Sequence, residues 1–505
     1  MSLEACSFLF AGAEPDGLAI ECGEVRLTRA QLTDRALAFA GVLRGAGIGA
    51  DEHVALLCRN RVEVLEVVLG GLLAGVWLTP VNWHLAAGEI GFVLRDAGAR
   101  LVVVDPAHRS LVPDGGRALE LGPEYEQALA AAPAFPLDPA APPGGTMMYT
   151  SGTSGQPKGV KRQRPASIQA ALDTYRTTAR LVGFTAPGVH LVPGPLYHAA
   201  PLLFALYDAV TGSSVLVMER WDTEHCLSLL QTRGVTHVHL VPTMIVRLLR
   251  LMDERGLVAP ASLRVLLHGA APITPAIKQQ AIERFGPVLT EYWGATEGGV
   301  YALLTSEEWL AHRGSVGRPL ASFEVNAVDD EGTRLGANQR GTLVCRHRQL
   351  AVPFVYHQAP EKTRAAYVAE GVFTVGDLGH VDEDGFIHLS DRRSDLILSG
   401  GVNVYPAEVV RVLGKHPGVM DLVVTGTPDD EWGERVVAVV EPVPGTPRDV
   451  LEAELRAACQ AELARFKHPQ QYCFVDQLPR LPSGKVRSPD IAALLTATTE
   501  PRQQS

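Results

Sequence analysis

The stretch Tyr149–Val160 reads YTSGTSGQPKGV, and its residue types suit the holding of a polyanion. Gly152, Gly155 and Gly159 open backbone conformations closed to other residues and permit close approach to a ligand. Thr150, Ser151, Thr153 and Ser154 bring hydroxyl donors and Lys158 a cation, a set that fits a triphosphate. It is not a Walker A loop, because no Gly-Lys-Ser/Thr ending closes a G-x-x-x-x-G-K frame. On composition alone a mobile Gly/Ser linker is the alternative. The apolar Thr146–Tyr149 before it reads as a strand, which puts the loop at a strand end.

Further segments carry chemistry-bearing types. Tyr292–Gly299 (YWGATEGG) sets aromatics ahead of Gly, Thr and Glu, so it can stack on a base while placing a hydroxyl and a carboxylate beside phosphate. His268–Pro272 reads HGAAP, and Phe373–Asp384 contains the pair Gly376–Asp377. Asp391–Glu408 reads DRRSDLILSGGVNVYPAE, and Leu481–Arg487 (LPSGKVR) places Lys485 late in the chain. Singly, each has a plain structural reading: Trp293 a core aromatic, Asp377 a turn carboxylate, Gly401 a turn glycine, Lys485 a solvated charge. With only seven lysines against 38 arginines, the placement of Lys158 and Lys485 gains weight.

In this order, and over nearly the whole chain, the set resembles the signature motifs of the adenylate-forming superfamily: acyl-CoA synthetases, peptide-synthetase adenylation domains and luciferases. The resemblance implies an enzyme that uses ATP, Mg²⁺ and coenzyme A to activate a carboxylic acid as its adenylate and pass it to a thiol. It implies that Thr150–Gly155 and Lys158 cradle the phosphates. Gly269, Ala270, Ala271, Tyr292, Trp293 and Gly294 would form the adenine site, with Trp293 at the stacking position where relatives usually carry Tyr. Thr296 would contact phosphate and Glu297 would hold Mg²⁺, a hard ion that prefers oxygen ligands. Asp377 would chelate the ribose hydroxyls, and Arg392 would contact ribose and phosphate. Ser394 falls on the hinge of a small mobile domain, where many relatives carry Asp or Lys. Gly401 matches a backbone position beside the CoA pantetheine, and Lys485 matches the lysine that reaches the carboxylate and α-phosphate during adenylation. His198, in Pro195–Phe204 (PLYHAAPLLF), matches a position between acyl pocket and CoA tunnel; a packed core histidine is its alternative.

Peptide-synthetase domains pair an Asp with the substrate ammonium, since an unpaired buried charge is costly. No Asp follows Tyr197–His198, and Asp208 lies well downstream and reads as structural, so an amino acid is not expected. Ala199–Phe204 and the small residues near Gly298 and Gly299 suggest a roomy apolar pocket for a medium- or long-chain or bulky alicyclic acid. The rivals are an adenylating enzyme that hands acyl-AMP to a carrier protein or partner enzyme, a luciferase-like oxygenase, and a nucleotide-sensing binding protein without chemistry.

The elements that must position these residues are legible in the apolar pattern. Thr28 and Gln31 propose a capping box ahead of a helix over Leu27–Ala46. His53–Leu57, Leu101–Asp105, His190–Val192, Ser214–Met218, His237–Val241 and Leu263–Leu267 read as buried strands alternating with helices, which favours parallel sheets. Val67–Thr79, too short to span a bilayer at ~20 residues, reads as a core helix. Ala130–Pro143 reads as a connecting loop. From about Gly317 to His357 short β-like runs with turns, such as Phe323–Val328 and Gly341–Cys345, suggest a small β-barrel-like element, and strand, helix, strand, helix follow after Asp391. The expected organisation is an α/β domain over 1–393 and a small α+β domain over 394–505 on a hinge. At 505 residues and net charge -11 the chain is a multidomain globular protein unsuited to general nucleic-acid or anionic-membrane binding. Seven scattered cysteines without CxxC spacing read as free thiols, and a start without a basic segment leads to an expected cytoplasmic location.

Overall fold

The computed structural model describes all residues except 1, 86, 114, 151–156, 272, 393–396, 400, 401, 405, 430–432, 464, 482–485, 487–489, 492 and 496–505. Strands apolar on both faces need cover on both sides, and helices supply it. A nine-stranded sheet runs in the order Arg318–Pro319, Gly299–Thr305, Leu289–Ala295, Val265–His268, His237–Leu240, Val189–Val192, Ser214–Val217, Leu18–Cys22, Val25–Thr28. From Leu289–Ala295 to Leu18–Cys22 all neighbours are parallel, so their carboxyl ends share one edge. A seven-stranded sheet runs Phe354–Tyr356, Lys158–Arg162, Gly145–Thr150, Trp77–Pro80, His53–Leu57, Ala99–Val104, Ala118–Glu120. It is parallel from Gly145–Thr150 onward and antiparallel on the other side. A six-stranded antiparallel sheet runs from Phe323–Val328 to Ile387–Arg392, so the β-rich element begins where expected but extends well past His357, while Phe354–Tyr356 joins the seven-stranded sheet. The small domain holds a five-stranded sheet with helices Pro406–Leu413 and Arg448–Glu462 packed on it through Val409, Leu413, Leu451 and Leu455.

The Thr28 cap is present as read: its hydroxyl accepts from the Gln31 N–H while Gln31 accepts from Thr28, opening helix Arg29–Gly45. Two readings are corrected. Val67–Thr79 is not one helix; helix Glu63–Ala74 ends at Gly75, whose φ of 76° is left-handed, and Trp77–Pro80 is a strand. A glycine carries that conformation without a Cβ clash, so the apolar run changes direction inside itself. After Asp391 the small domain has more strands than expected: Ile397–Ser399 pairs with Val402–Val404, and Val419–Asp429 pairs with Gly433–Pro442. All seven cysteines are buried and free. Among the described residues no helix is long and apolar enough to cross a membrane.

One buried polar cluster fixes the element nearest the site. Asp208, fully buried near the end of helix Ala199–Ala209, accepts from His190 Nδ1 at 3.0 Å and His237 Nδ1 at 2.7 Å. Burial works against the charged carboxylate, but the two imidazole hydrogen bonds outweigh it and hold the carboxyl below its usual range. The helix is thereby tied to strands Val189–Val192 and His237–Leu240. Asp208→Ala strands two buried imidazoles and should lower stability by about 3–5 kcal/mol, the scale for breaking a buried charged contact. The first urea transition at pH 7 measures this; an unshifted midpoint would show that the cluster does not hold the helix.

Candidate active site

Ligands of open parallel sheets bind beyond the carboxyl ends of the strands, and the recognisable residues gather there. Strand Val265–His268 runs into Gly269, Ala270 and Ala271. Gly269 admits no side chain: a Cβ there would lie 2.6 Å from the Tyr292 ring and 2.7 Å from its carbonyl oxygen. Ala270 has φ of 64°, a left-handed conformation that costs a non-glycine residue about 1–2 kcal/mol. The next strand, Leu289–Ala295, pairs antiparallel with Gly299–Thr305, and Ala295 faces Gly299. Thr296 and Glu297 therefore stand at the tip of a tight turn. The strands crowd behind it, since a Cβ at Gly294 would lie 2.1 Å from the Gly299 carbonyl oxygen.

Trp293 is buried, and its indole N–H donates to Asp377 Oδ2 at 2.8 Å. Asp377 pairs across the antiparallel ladder with Arg392, so the expected base-side and ribose-side residues come together from three strands. Tyr292, one residue earlier, faces the other side of the strand, where its ring packs on Phe204 and its hydroxyl lies 3.3 Å from His239 Nε2.

On the phosphate side, Thr150 and Lys158 are direct partners across antiparallel strands. Tyr149 ties the first of these down by donating to Asp96 Oδ2 at 2.5 Å. Lys158 Nζ sits 4.7 Å from the centre of the Tyr356 ring, and the Tyr356 hydroxyl donates to Glu297 Oε1 at 2.9 Å. Burial and then the Glu297 charge push the Tyr356 phenol well above its usual pKa, so it remains a donor. A cation, an aromatic ring and a carboxylate thus form one connected row. Ser151, Gly152, Thr153, Ser154, Gly155, Ser394, Gly401 and Lys485 lie outside the described residues.

Tyr356 was not singled out in the sequence, nor was Asn60. The Asn60 amide donates to the carbonyls of Gly194 at 3.0 Å and Met218 at 2.8 Å and accepts from the Leu196 N–H at 2.8 Å. It stands just after strand His53–Leu57 of one sheet and grips loops at the strand ends of the other. His198, which follows that gripped loop, is the cap position of helix Ala199–Ala209, with its ring 4.5 Å from that of Tyr197.

The donors fit an ion carried in on phosphate. Among the described residues no three His, Cys, Asp or Glu side chains gather as a metal cage. Mg²⁺ needs no such cage: it keeps several waters and takes one or two carboxylates plus substrate phosphates. Glu297 offers that single carboxylate, and Thr296 precedes it in the same turn.

The sequence matches the family of AMP-binding enzymes over residues 9–353 and the AMP-binding enzyme C-terminal domain over residues 408–485. It is 32% identical over 491 residues to 2-succinylbenzoate–CoA ligase of Geobacillus kaustophilus, covering 96% of each chain. It is also 32% identical to the fatty acid–[acyl-carrier-protein] ligase ScoC of Streptomyces coeruleorubidus, over 94% of this chain and 92% of that one. Among solved structures, o-succinylbenzoate CoA synthetase of Bacillus subtilis, in complex with its acyl-adenylate intermediate, superposes with a TM-score of 0.81 at 27% identity, over 100% of this chain and 99% of that one. The chain belongs to the AMP-binding, adenylate-forming enzyme family. More narrowly, it is an AMP-forming acid–thiol ligase of the acyl-CoA synthetase branch, acting on a carboxylic acid with ATP and coenzyme A.

The row from Lys158 to Glu297 gives a direct test. Tyr356→Phe keeps the ring beneath Lys158 but releases Glu297, and should slow acid-dependent pyrophosphate release about 10- to 100-fold, the worth of one hydrogen bond to a charged group. Tyr356→Leu also removes the cation–π contact and should slow it further. Wild-type rates in both variants would show that the row orients nothing.

Proposed function

We propose that the chain activates a medium- or long-chain or bulky alicyclic carboxylic acid and transfers it to CoA, with a large domain over 1–393 and a mobile one over 394–505. The observation that supports this reading is the buried Trp293–Asp377 hydrogen bond together with the Lys158–Tyr356–Glu297 row, which join the residues read as base-side, ribose-side and phosphate-side. In the first step a carboxylate oxygen attacks the α-phosphorus of ATP; the bond to the pyrophosphate oxygen breaks, giving acyl-AMP and pyrophosphate. A carboxylate needs no general base, so the residues position and neutralise. In this reading Trp293 and Tyr292 with Gly269–Ala271 and Gly294 hold the base. Asp377 and Arg392 hold the ribose; Thr150–Gly155, Lys158 and Thr296 hold the phosphates. Glu297 and Thr296 would hold Mg²⁺, whose bound charge would offset that of the triphosphate. Lys485 reaches the reacting carboxylate, and its flexible stem suits a group that enters and leaves. The small domain then turns about Ser394, bringing Gly401 to the pantetheine beside His198. The CoA thiol attacks the acyl carbon and AMP departs.

The apolar helix Ala199–Ala209 and the glycines at the turn support the substrate range. A carrier protein as acceptor is the second reading, favoured by the relative that ligates fatty acids to one. The decisive experiment is a panel of acids assayed for pyrophosphate release and, by mass spectrometry, for thioester formation with CoA or with phosphopantetheinylated carrier. A CoA thioester is expected; a product formed only on the carrier would move the assignment to the second reading. Lys485→Ala should cut acid-dependent pyrophosphate exchange by roughly 10²–10³, the scale for one transition-state charge partner. Near-normal exchange would remove Lys485 from adenylation.

A further inference from the structure

The loop Gly269–Ala271, read above as base-side, hangs between strand Val265–His268, which leads into it, and helix Pro275–Phe285, which leads away. Among the described residues no hydrogen bond holds the backbone of Ala270 or Ala271. Yet Ala270 keeps a left-handed φ of 64°, and Gly269 lies so close to Tyr292 that a Cβ has no room. A left-handed alanine persists only where its surroundings over-determine it. The restraint therefore comes from the contact with Tyr292 and from the two ends of the loop.

The first end is fixed by the ladder, where His268 pairs with Leu240 on one side and Glu291 on the other. The second end is fixed by the helix. Thr274 caps it by accepting from the Ile277 N–H, and Lys278, one turn in, donates to Glu291 Oε2. Lys278 and Glu291 are only 1% and 7% exposed. Glu291 stands on strand Leu289–Ala295, two residues before Trp293. Strand, loop, helix and ion pair thus form a closed circuit that returns to the strand bearing Trp293. A buried ion pair is weak ground for stability, since apolar side chains of similar volume in its place often leave a fold as stable or more so. The surroundings suit such a replacement, because the Lys278 Nζ already lies 5.2 Å from the centre of the Trp309 ring. What the charged pair adds over apolar contacts is a fixed distance and direction between helix and strand.

We propose that Lys278 is a positioning residue for the nucleotide: through Glu291 it holds the loop Gly269–Ala271 at the spacing from Trp293 that admits the base. This role rests on the adenylation reading and deepens it by naming what sets the base-side gap. Without the pair, Ala270 relaxes to an ordinary conformation in the free enzyme, and the nucleotide must restore the left-handed one as it binds. Affinity then falls in proportion to the relaxed fraction.

The test is the double variant Lys278→Met/Glu291→Leu of the full chain, in which methionine packs on Trp309 and no charge is left unpaired. AMP is titrated by calorimetry, and ATP–pyrophosphate exchange is followed with the fastest acid of the panel. Kd for AMP and KM for ATP should rise about 5- to 30-fold, the factor that matches the strain of one left-handed alanine. KM for the acid and for pyrophosphate, which share no partner with the pair, should stay within about twofold. The melting midpoint should be unchanged or higher. Glu291→Gln keeps the side-chain size and leaves Lys278 a neutral acceptor; it should raise the same two constants by less, and it serves if the double variant fails to fold. Wild-type AMP affinity in any folded one of these variants overturns the proposal. So does a parallel loss for AMP, acid, pyrophosphate and melting temperature, which marks a purely structural pair. Wild-type enzyme that binds neither AMP nor ATP overturns the adenylation reading itself, a result distinct from nucleotide binding that ignores the pair.

Discussion

The hydrogen bond from the Trp293 indole to Asp377 is the joint on which the arrangement turns. It spans two sheets, one largely parallel and one antiparallel, and it is buried. A carboxylate in that position would be expensive without a donor, and an indole N–H without an acceptor equally so. Each satisfies the other, and the pairing fixes the spacing between the hairpin that presents Thr296 and Glu297 and the ladder that pairs Asp377 with Arg392. The relative positions of Trp293, Thr296, Glu297 and Asp377 follow from that spacing.

Around this joint the difficulty is electrostatic. A reaction between a carboxylate and a triphosphate brings like charges together, in a chain whose own net charge is -11. The interior answers with placed donors more than with many cations. Among the described residues Lys158 lies over a tyrosine ring and forms no ion pair with an acid. Glu297 is likewise restrained by a neutral phenol. The strong interior ion pair, Lys278 with Glu291, lies elsewhere, linking helix Pro275–Phe285 to strand Leu289–Ala295.

Much of this was legible in the chain. Alternating apolar runs declared the α/β architecture, and Thr28 with Gln31 declared a helix start that the structure reproduces bond for bond. Contiguous segments such as YWGATEGG carried the chemistry because their parts act over a few residues. Where partners come from distant strands the sequence was silent. Tyr356 matters only because Lys158 and Glu297 arrive on either side of it, and Asn60 only because its amide reaches Gly194, Leu196 and Met218. Asp208 was read as structural, and its two histidines give the reason. Val67–Thr79 misled because hydrophobicity does not announce a reversal, and Gly75 supplies one.

Asn60 has a wider consequence. It bolts the strand ends of the seven-stranded sheet to loops of the nine-stranded sheet, and the Lys158–Tyr356–Glu297 row crosses the same seam. The proposed phosphate site is therefore not carved into one rigid body but stretched across a join, like a gauge mounted between two plates. Any slip of one sheet against the other reads out there first. Substitutions far from the nucleotide that alter the fit of the two sheets will register as changes in ATP affinity before they register as loss of fold.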